Sequence, residues 1–282
     1  MQYTEITPEL VNRLKTAIRD ADAILIGAGA GLSAAAGFTL DGDRFRRFFS
    51  DFIARYRFHN AIAAGFYPFP TPEEYWAFWS RCVLLNRYES PKKPVHARLK
   101  NLVQDKPHFV IDANVDRAFQ RAGFAEEAVF CPQGDLGRFQ CAAPCHRRTY
   151  DNEAAILAMI AEQKDMRIPS ALVPRCPNCG APMRLNLRGD EPFVEDLGWH
   201  EAASRYVDFA QKHLKDKLLL LELGADGSVR ETITAPFLRV ARMNANATYA
   251  SVNLNAPECP KEIADRAILI TADPADLIDA LQ

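Results

Sequence analysis

The sequence predicts an α/β fold, a parallel sheet with helices on both faces that also carries a smaller inserted module. Three observations lead there. Short apolar runs at 23–26, 108–111, 128–131, 217–223, 248–253 and 267–270 alternate with stretches of helical periodicity, and strands separated by helices pair in parallel. Several runs end in glycine or a polar residue, as at Gly27, Asp112, Gly224 and Asn253; the loops at the carboxyl ends of such strands are where open parallel sheets bind ligands. A length of 282 residues is enough to bury one large core and a second, smaller one.

The first element is an amphipathic helix. Leu10, Val11, Leu14, Ala17 and Ile18 share one face, and Pro8 stands where helices accept proline. The strand at 23–26 then runs into Gly27-Ala28-Gly29-Ala30-Gly31-Leu32-Ser33. Closely spaced glycines after a buried strand let backbone N–H groups approach a pyrophosphate at the start of a helix. The spacing is G-x-G-x-G and not the commoner G-x-G-x-x-G, so an ordinary tight turn is the competing reading of these residues alone.

Residues 41–88 carry Phe45, Phe48, Phe49, Phe52, Tyr56, Tyr75, Trp76, Phe78 and Trp79. Aromatics at three- and four-residue spacing are the pattern of helix-packing core, which predicts a helical subdomain. A helix over 95–104 leads to the strand 108–111 and on to Asp112-Ala113-Asn114-Val115-Asp116, which makes Asn114 and Asp116 candidate site residues. A short helix stopping at Gly123 and the strand 128–131 come next. After a cysteine-bearing segment, a helix over 200–213 precedes the strand 217–223 and its turn Gly224-Ala225-Asp226-Gly227-Ser228. A helix over 232–243, the strands 248–253 and 267–270, and a closing helix from Pro274 complete the alternation.

With 34 Lys+Arg against 36 Asp+Glu the formal charge is -2, so no global field favours nucleic acid or an anionic membrane. No apolar run approaches the length that spans a bilayer, and Met1 to Glu5 lack the basic-then-apolar pattern of a leader. A cytoplasmic protein is expected, in which the seven cysteines are thiols or metal ligands. Cys141 and Cys145 form one close pair, Cys176 and Cys179 another. Two such hooks supply four thiolates, a closed tetrahedral shell for structural zinc. Residues 153–163 read as a helix in the intervening segment. His146 is a bystander if the four cysteines complete the shell, and Cys82, Cys131 and Cys259 lack paired spacing, which burial explains.

In their order these motifs resemble the sirtuin family of NAD-dependent enzymes: the glycine turn through Ser33, Asn114-Val115-Asp116 after a strand, the paired cysteines, the Gly224 turn, and Asn253-Leu254-Asn255 after a late strand. The resemblance covers nearly the whole chain. It implies one sirtuin-type catalytic domain over 1–282, with a Rossmann-type core at 1–40, 92–135 and 198–282, a helical cofactor-binding insertion at 41–91 and a zinc-binding module at 136–197. It implies NAD as co-substrate and zinc as the bound metal. Cofactor contacts are expected from Gly27, Ala28, Gly29, Gly31, Ser33, Arg44, Asn114, Asp116, Gln133, Gly224, Ser228 and Asn253. Asp273 is a second candidate for the adenosine half, with a helix cap as its other reading.

The departures from the family sharpen the expectation. Ordinary sirtuins place a His-Gly pair before the first zinc cysteines, and this chain has Gln133-Gly134. Deacylation needs that imidazole to take a proton from the ribose, whereas a carboxamide can only hydrogen-bond. Arg188 stands where the family's substrate segment has an apolar residue, and a fixed cation suits a charged group better than an acyl chain. These features resemble the macrodomain-linked class M branch of sirtuins. That branch implies protein mono-ADP-ribosylation, with Asn114, Gln133 and Arg188 as catalytic residues, and Asp116 joins them here as a carboxylate beside Asn114 able to hold the nicotinamide amide. It also implies a lipoylated carrier resembling glycine-cleavage H protein as acceptor, and a macrodomain hydrolase in the same pathway. The alternatives are a deacylase that uses another base, and a non-enzymatic NAD or ADP-ribose sensor.

Overall fold

The computed structural model describes residues 6–39, 41–189 and 192–282, without the side chain of Ile62. The readings made at Met1–Glu5, Leu40 and Asp190–Glu191 lie outside the described residues. Among the described residues there are nine strands: β1 Ala23–Ala28, β2 His108–Asp112, β3 Val129–Phe130, β4 Gly134–Cys141, β5 Thr149–Asp151, β6 Met183–Leu187, β7 Leu218–Leu223, β8 Thr248–Asn253 and β9 Ala267–Thr271. The chain forms two compact units, one of residues 1–37, 91–133 and 198–282, the other of residues 38–90 and 134–197.

The first unit is built on a six-stranded sheet in the order β3-β2-β1-β7-β8-β9, parallel at every pairing. β1 and β7 are buried at every position, as a sheet covered on both faces requires. Ala23 and Leu25 pack in one cluster with Phe237, Leu238 and Ala241 of the helix Ala235–Met243. Ile24 and Ile26, which the strand's two-residue period turns to the other face, are equally inaccessible. The register sets Ala28 of β1 beside Asp112 of β2 and Leu223 of β7, and Leu223 beside Val252 of β8. Four loops therefore leave the sheet at one edge, the carboxyl ends of its central strands.

The helices follow from their ends as well as their faces. Pro8–Asp20 is capped by Thr7, whose hydroxyl accepts from the Leu10 N–H, and it buries Leu14 and Ile18. Asp273 caps Pro274–Ala280 through the Ala275 N–H at 2.8 Å, the cap alternative raised for this residue.

The second unit has a helical part and a sheet part. The helices Gly42–Phe48, Ser50–Tyr56, Ala61–Gly65 and Pro72–Val83 enclose an aromatic cluster, with Phe49, Phe52, Phe58 and Phe69 all within 6.2 Å of the Phe78 ring. The helical packing reading of these aromatics is correct. A π-turn at Leu84–Tyr88 extends the last helix. The sheet part is antiparallel, in the order β5-β4-β6, with the helix Glu153–Glu162 in its connection. Neither the antiparallel sheet nor the π-turns at 84–88 and 230–234 are signalled by the sequence.

Candidate functional site

In the first unit the glycine turn folds against the turn after β7. The Gly29 N–H donates to the Leu223 carbonyl at 3.0 Å and the Gly31 N–H to the Gly224 carbonyl at 2.9 Å. A Cβ on Gly29 would lie 2.5 Å from the Ala225 Cα, and one on Gly31 would lie 2.8 Å from the Gly224 Cα. Gly224 has a φ of +62°, and its own Cβ would meet the Leu32 nitrogen at 2.3 Å. Glycine is thus required here because two backbones touch. Gly27 serves another contact, since its Cβ would fall 2.3 Å from Ile233. Ala28 ends β1, and its carbonyl accepts from the Ala113 N–H.

The loop after β2 is stitched to that turn. The Asn114 side-chain nitrogen donates to the Gly29 carbonyl at 3.0 Å and to Asp112 Oδ1 at 2.9 Å. Ser33 donates to Asp116 Oδ2 at 2.5 Å, and Asp116 Oδ1 accepts the Ala118 N–H. Ser33 and Asp116 are both buried, so the Asp116 carboxylate is held from two sides. Asp112 itself is fully buried, and burial, then the neighbouring Asp116 charge, raises its carboxyl well above the usual range. His96 is also buried, and burial lowers its imidazole while Asp116 opposes that. Asn253 donates to the Ala225 carbonyl. Ser228 is held by Asp226, through its N–H at 2.9 Å and its hydroxyl at 2.5 Å. Gln133 is half-buried in the turn that joins β3 to β4.

Two of the predicted cofactor and catalytic residues belong to the second unit, in addition to the four cysteines. The Arg44 guanidinium is nearly buried and donates to Asn86 Oδ1 at 2.7 Å and to the Leu85 carbonyl at 2.5 Å. It braces the π-turn from inside its own unit. Arg188 follows β6, lies over the Phe193 ring at 4.4 Å and pairs with Glu195 at 2.7 Å. The segment it faces is fixed from below. Buried Gln140 donates to the Pro192 carbonyl at 2.7 Å and accepts from the Val194 N–H at 2.9 Å and from Asn186 at 2.7 Å.

The cysteines come together in the same unit. The four sulfurs lie within 4.8 Å of one another, with Cys141 to Cys179 at 3.6 Å and Cys145 to Cys176 at 3.7 Å. A tetrahedron with Zn–S bonds of about 2.3 Å has edges of about 3.8 Å, so the set fits zinc. The Cys145 N–H bonds to Cys141 and helps bring its thiol down to about 7, toward the thiolate a metal binds. His146 lies outside the four, with Nε2 at 3.5 Å from Cys176 Sγ and 3.0 Å from the Tyr150 hydroxyl.

Sequence reasoning passed over Asp112 as a bare strand end, and over Gln140 and Asn186. An acidic residue closing an apolar run was the only available signal for the first. A cavity of about 800 Å³ opens instead at the amino ends of β7 and β8, between Arg13, Asp20, Lys217 and Arg266. Its mixed charges select no ligand.

No protein-family model matches the chain. Over 266 residues it is 42% identical to a protein ADP-ribosyltransferase of Staphylococcus aureus (strain Mu50 / ATCC 700699), covering 94% of this chain and 84% of that protein. It is 27% identical to an NAD-dependent protein deacylase of Methylococcus capsulatus (strain ATCC 33009 / NCIMB 11132 / Bath), across 87% of this chain and 86% of that one. Its fold matches a structure of Sir2Tm bound to a propionylated peptide, with a TM-score of 0.62, 20% identity and 95% of each chain covered. The chain belongs to the sirtuin family, on its protein ADP-ribosyltransferase side.

Proposed function

We propose that the protein is an NAD-dependent protein mono-ADP-ribosyltransferase that releases nicotinamide. The observation that carries this reading is Gln133, an amide where the family resemblance leads one to expect the imidazole of the deacylases. An amide accepts and donates hydrogen bonds but takes no proton near neutral pH. The 42% identity to a transferase supports the same choice. NAD, when bound, supplies a ribosyl carbon with nicotinamide as its leaving group. The convergence of the glycine turn, the β7 turn, Asn114 and Asn253 at one sheet edge supports such a co-substrate, while the Gly29 and Gly31 N–H groups are taken by protein carbonyls and are not its phosphate donors.

In this reading Asn114 presents its amide carbonyl to the nicotinamide ribose, and Asp116 keeps the loop in place and holds the nicotinamide amide. Gln133 aligns ribose hydroxyls. Arg188, steadied by Phe193 and Glu195, positions the acceptor. Orientation and fixed charge then provide most of the rate. The finer part of the proposal is the acceptor, a lipoylated carrier protein, with a macrodomain hydrolase reversing the mark. A cytoplasmic site of action is proposed with it; among the described residues no helix is long and apolar enough to cross a membrane. A second reading, deacylation, is favoured by the identity to the Methylococcus deacylase.

The test is incubation with biotin-labelled NAD and lipoylated carrier. Label on the carrier and free nicotinamide are expected. NAD binding without transfer or nicotinamide release would replace the transferase by a sensor.

A further inference from the structure

We propose that Asp112 is a positioning residue, a buried clamp that fixes which end of the Asn114 side-chain amide is offered to the ligand. The proposal deepens the transferase reading and rests on it for its kinetic part. Asp112 Oδ1 accepts twice from Asn114, from the backbone N–H at 3.0 Å and from Nδ2 at 2.9 Å. The second hydrogen of that Nδ2 goes to the Gly29 carbonyl at 3.0 Å. An amide nitrogen has two hydrogens, so both are engaged inside the protein. The carbonyl oxygen is the end left over, an acceptor suited to a ribose hydroxyl or an ordered water. Without the clamp the Gly29 carbonyl is the one remaining grip on that nitrogen, and a turned amide presents a donor to the ligand.

Asp112 is suited to this task by where it sits. It closes β2 beside Ala28 and has 0% exposure. Its other oxygen, Oδ2, is buried and has no hydrogen-bond partner among the described residues. A charge with one bare buried oxygen is costly, and the adjacent Asp116 adds to that cost. Burial and Asp116 thus raise its carboxyl, while the two bonds from Asn114 pull the other way. The titratable and charged groups around it are Asp116, already bonded to Ser33, Arg117, which acts in the opposite sense, and His96 beyond Asp116. His96 stands edge-on to Phe119 at 4.8 Å, with both ring nitrogens buried and unpartnered among the described residues.

Asparagine keeps the Oδ1 acceptor that Asn114 uses, and alanine does not, which sets the experiment. Full-length zinc-loaded protein is compared as wild type, Asp112→Ala and Asp112→Asn. The readouts are kcat, KM for NAD, NAD affinity by calorimetry, and the solvent exchange of the Asn114 side-chain NH2 in ¹⁵N-labelled protein. Expected for Asp112→Ala is a kcat about 100-fold lower, with NAD affinity changed less than about 3-fold and fast NH2 exchange. Asp112→Asn is expected to stay within about 3-fold of wild-type kcat and to keep the protected NH2, because its Oδ1 still accepts from Asn114. Wild-type exchange in Asp112→Ala, or a folded Asp112→Asn with kcat more than about 10-fold reduced, overturns the clamp. If Asp112→Ala does not fold, Asp112→Asn decides alone. A wild-type protein with no turnover sinks the transferase reading, and the NH2 exchange still decides on the clamp.

Discussion

Asn114 and Asp112 show how one side chain gains a direction from another. The amide of Asn114 is gripped at its nitrogen by a strand end and by the glycine turn, so its oxygen is the group with work left to do. Asn114→Ala is accordingly expected to cut transferase turnover by about 100-fold or more while thermal stability changes little, measured by nicotinamide release. Asp112 also gives a stability prediction with a definite sign. Its carboxyl is raised in the folded protein, so the native state keeps a proton that the unfolded chain releases. That contribution is complete below the ordinary carboxylate range and is lost as pH climbs toward the raised value. The Tm of Asp112→Asn relative to wild type should therefore rise as pH climbs above the ordinary carboxylate range. A constant difference would mean that Asp112 is ionised throughout.

Elements place these residues by backbone contact as much as by side chains. The turn after β1 and the turn after β7 meet glycine to glycine, and Gly224 combines a left-handed φ with a neighbour already touching. Gly224→Ala should cost about 3 kcal/mol in urea unfolding and weaken NAD binding together, because strain and overlap add at one residue. The glycine pattern was legible in the sequence, but its reason was not: Gly29 and Gly31 carry their amides to protein carbonyls, a partner that lies almost two hundred residues away. The β-runs of the parallel sheet were legible because burial on both faces leaves an uninterrupted apolar word. β5, with three residues, carries too little pattern to announce a strand, and β6, where Arg184 and Asn186 alternate with Met183, Leu185 and Leu187, carries a strand period but names no pairing partner. The cysteine hooks were legible from spacing, and the sulfurs do converge. Chelation of the metal should lower the Tm by roughly 10 °C or more and release one zinc per chain, since such a site contributes folding free energy directly. An unchanged Tm would make the four cysteines mere neighbours.

At the scale of the molecule, the first unit gathers Gly29, Gly31, Ser33, Asn114, Asp116, Gly224 and Asn253 at one sheet edge, and the second carries Arg44, Arg188 and the cysteines. The candidate site was thus legible as residues and as an order of motifs. What stayed hidden was the buried polar support, Asp112 under Asn114 and Gln140 with Asn186 under the Arg188 segment. Such support leaves no periodic trace, because a polar residue becomes structural only when partners arrive from other parts of the chain. The chain's kinship is with a transferase at 42% identity and with a deacylase at 27%, and the proposal assigns the difference between the two chemistries to one side chain, Gln133. The most direct measurement is mass spectrometry of the products when the enzyme receives NAD and an acyl-lysine peptide beside a lipoylated carrier. The account predicts carrier bearing ADP-ribose and an untouched peptide. Acyl-ADP-ribose formed at a rate matching transfer would contradict it.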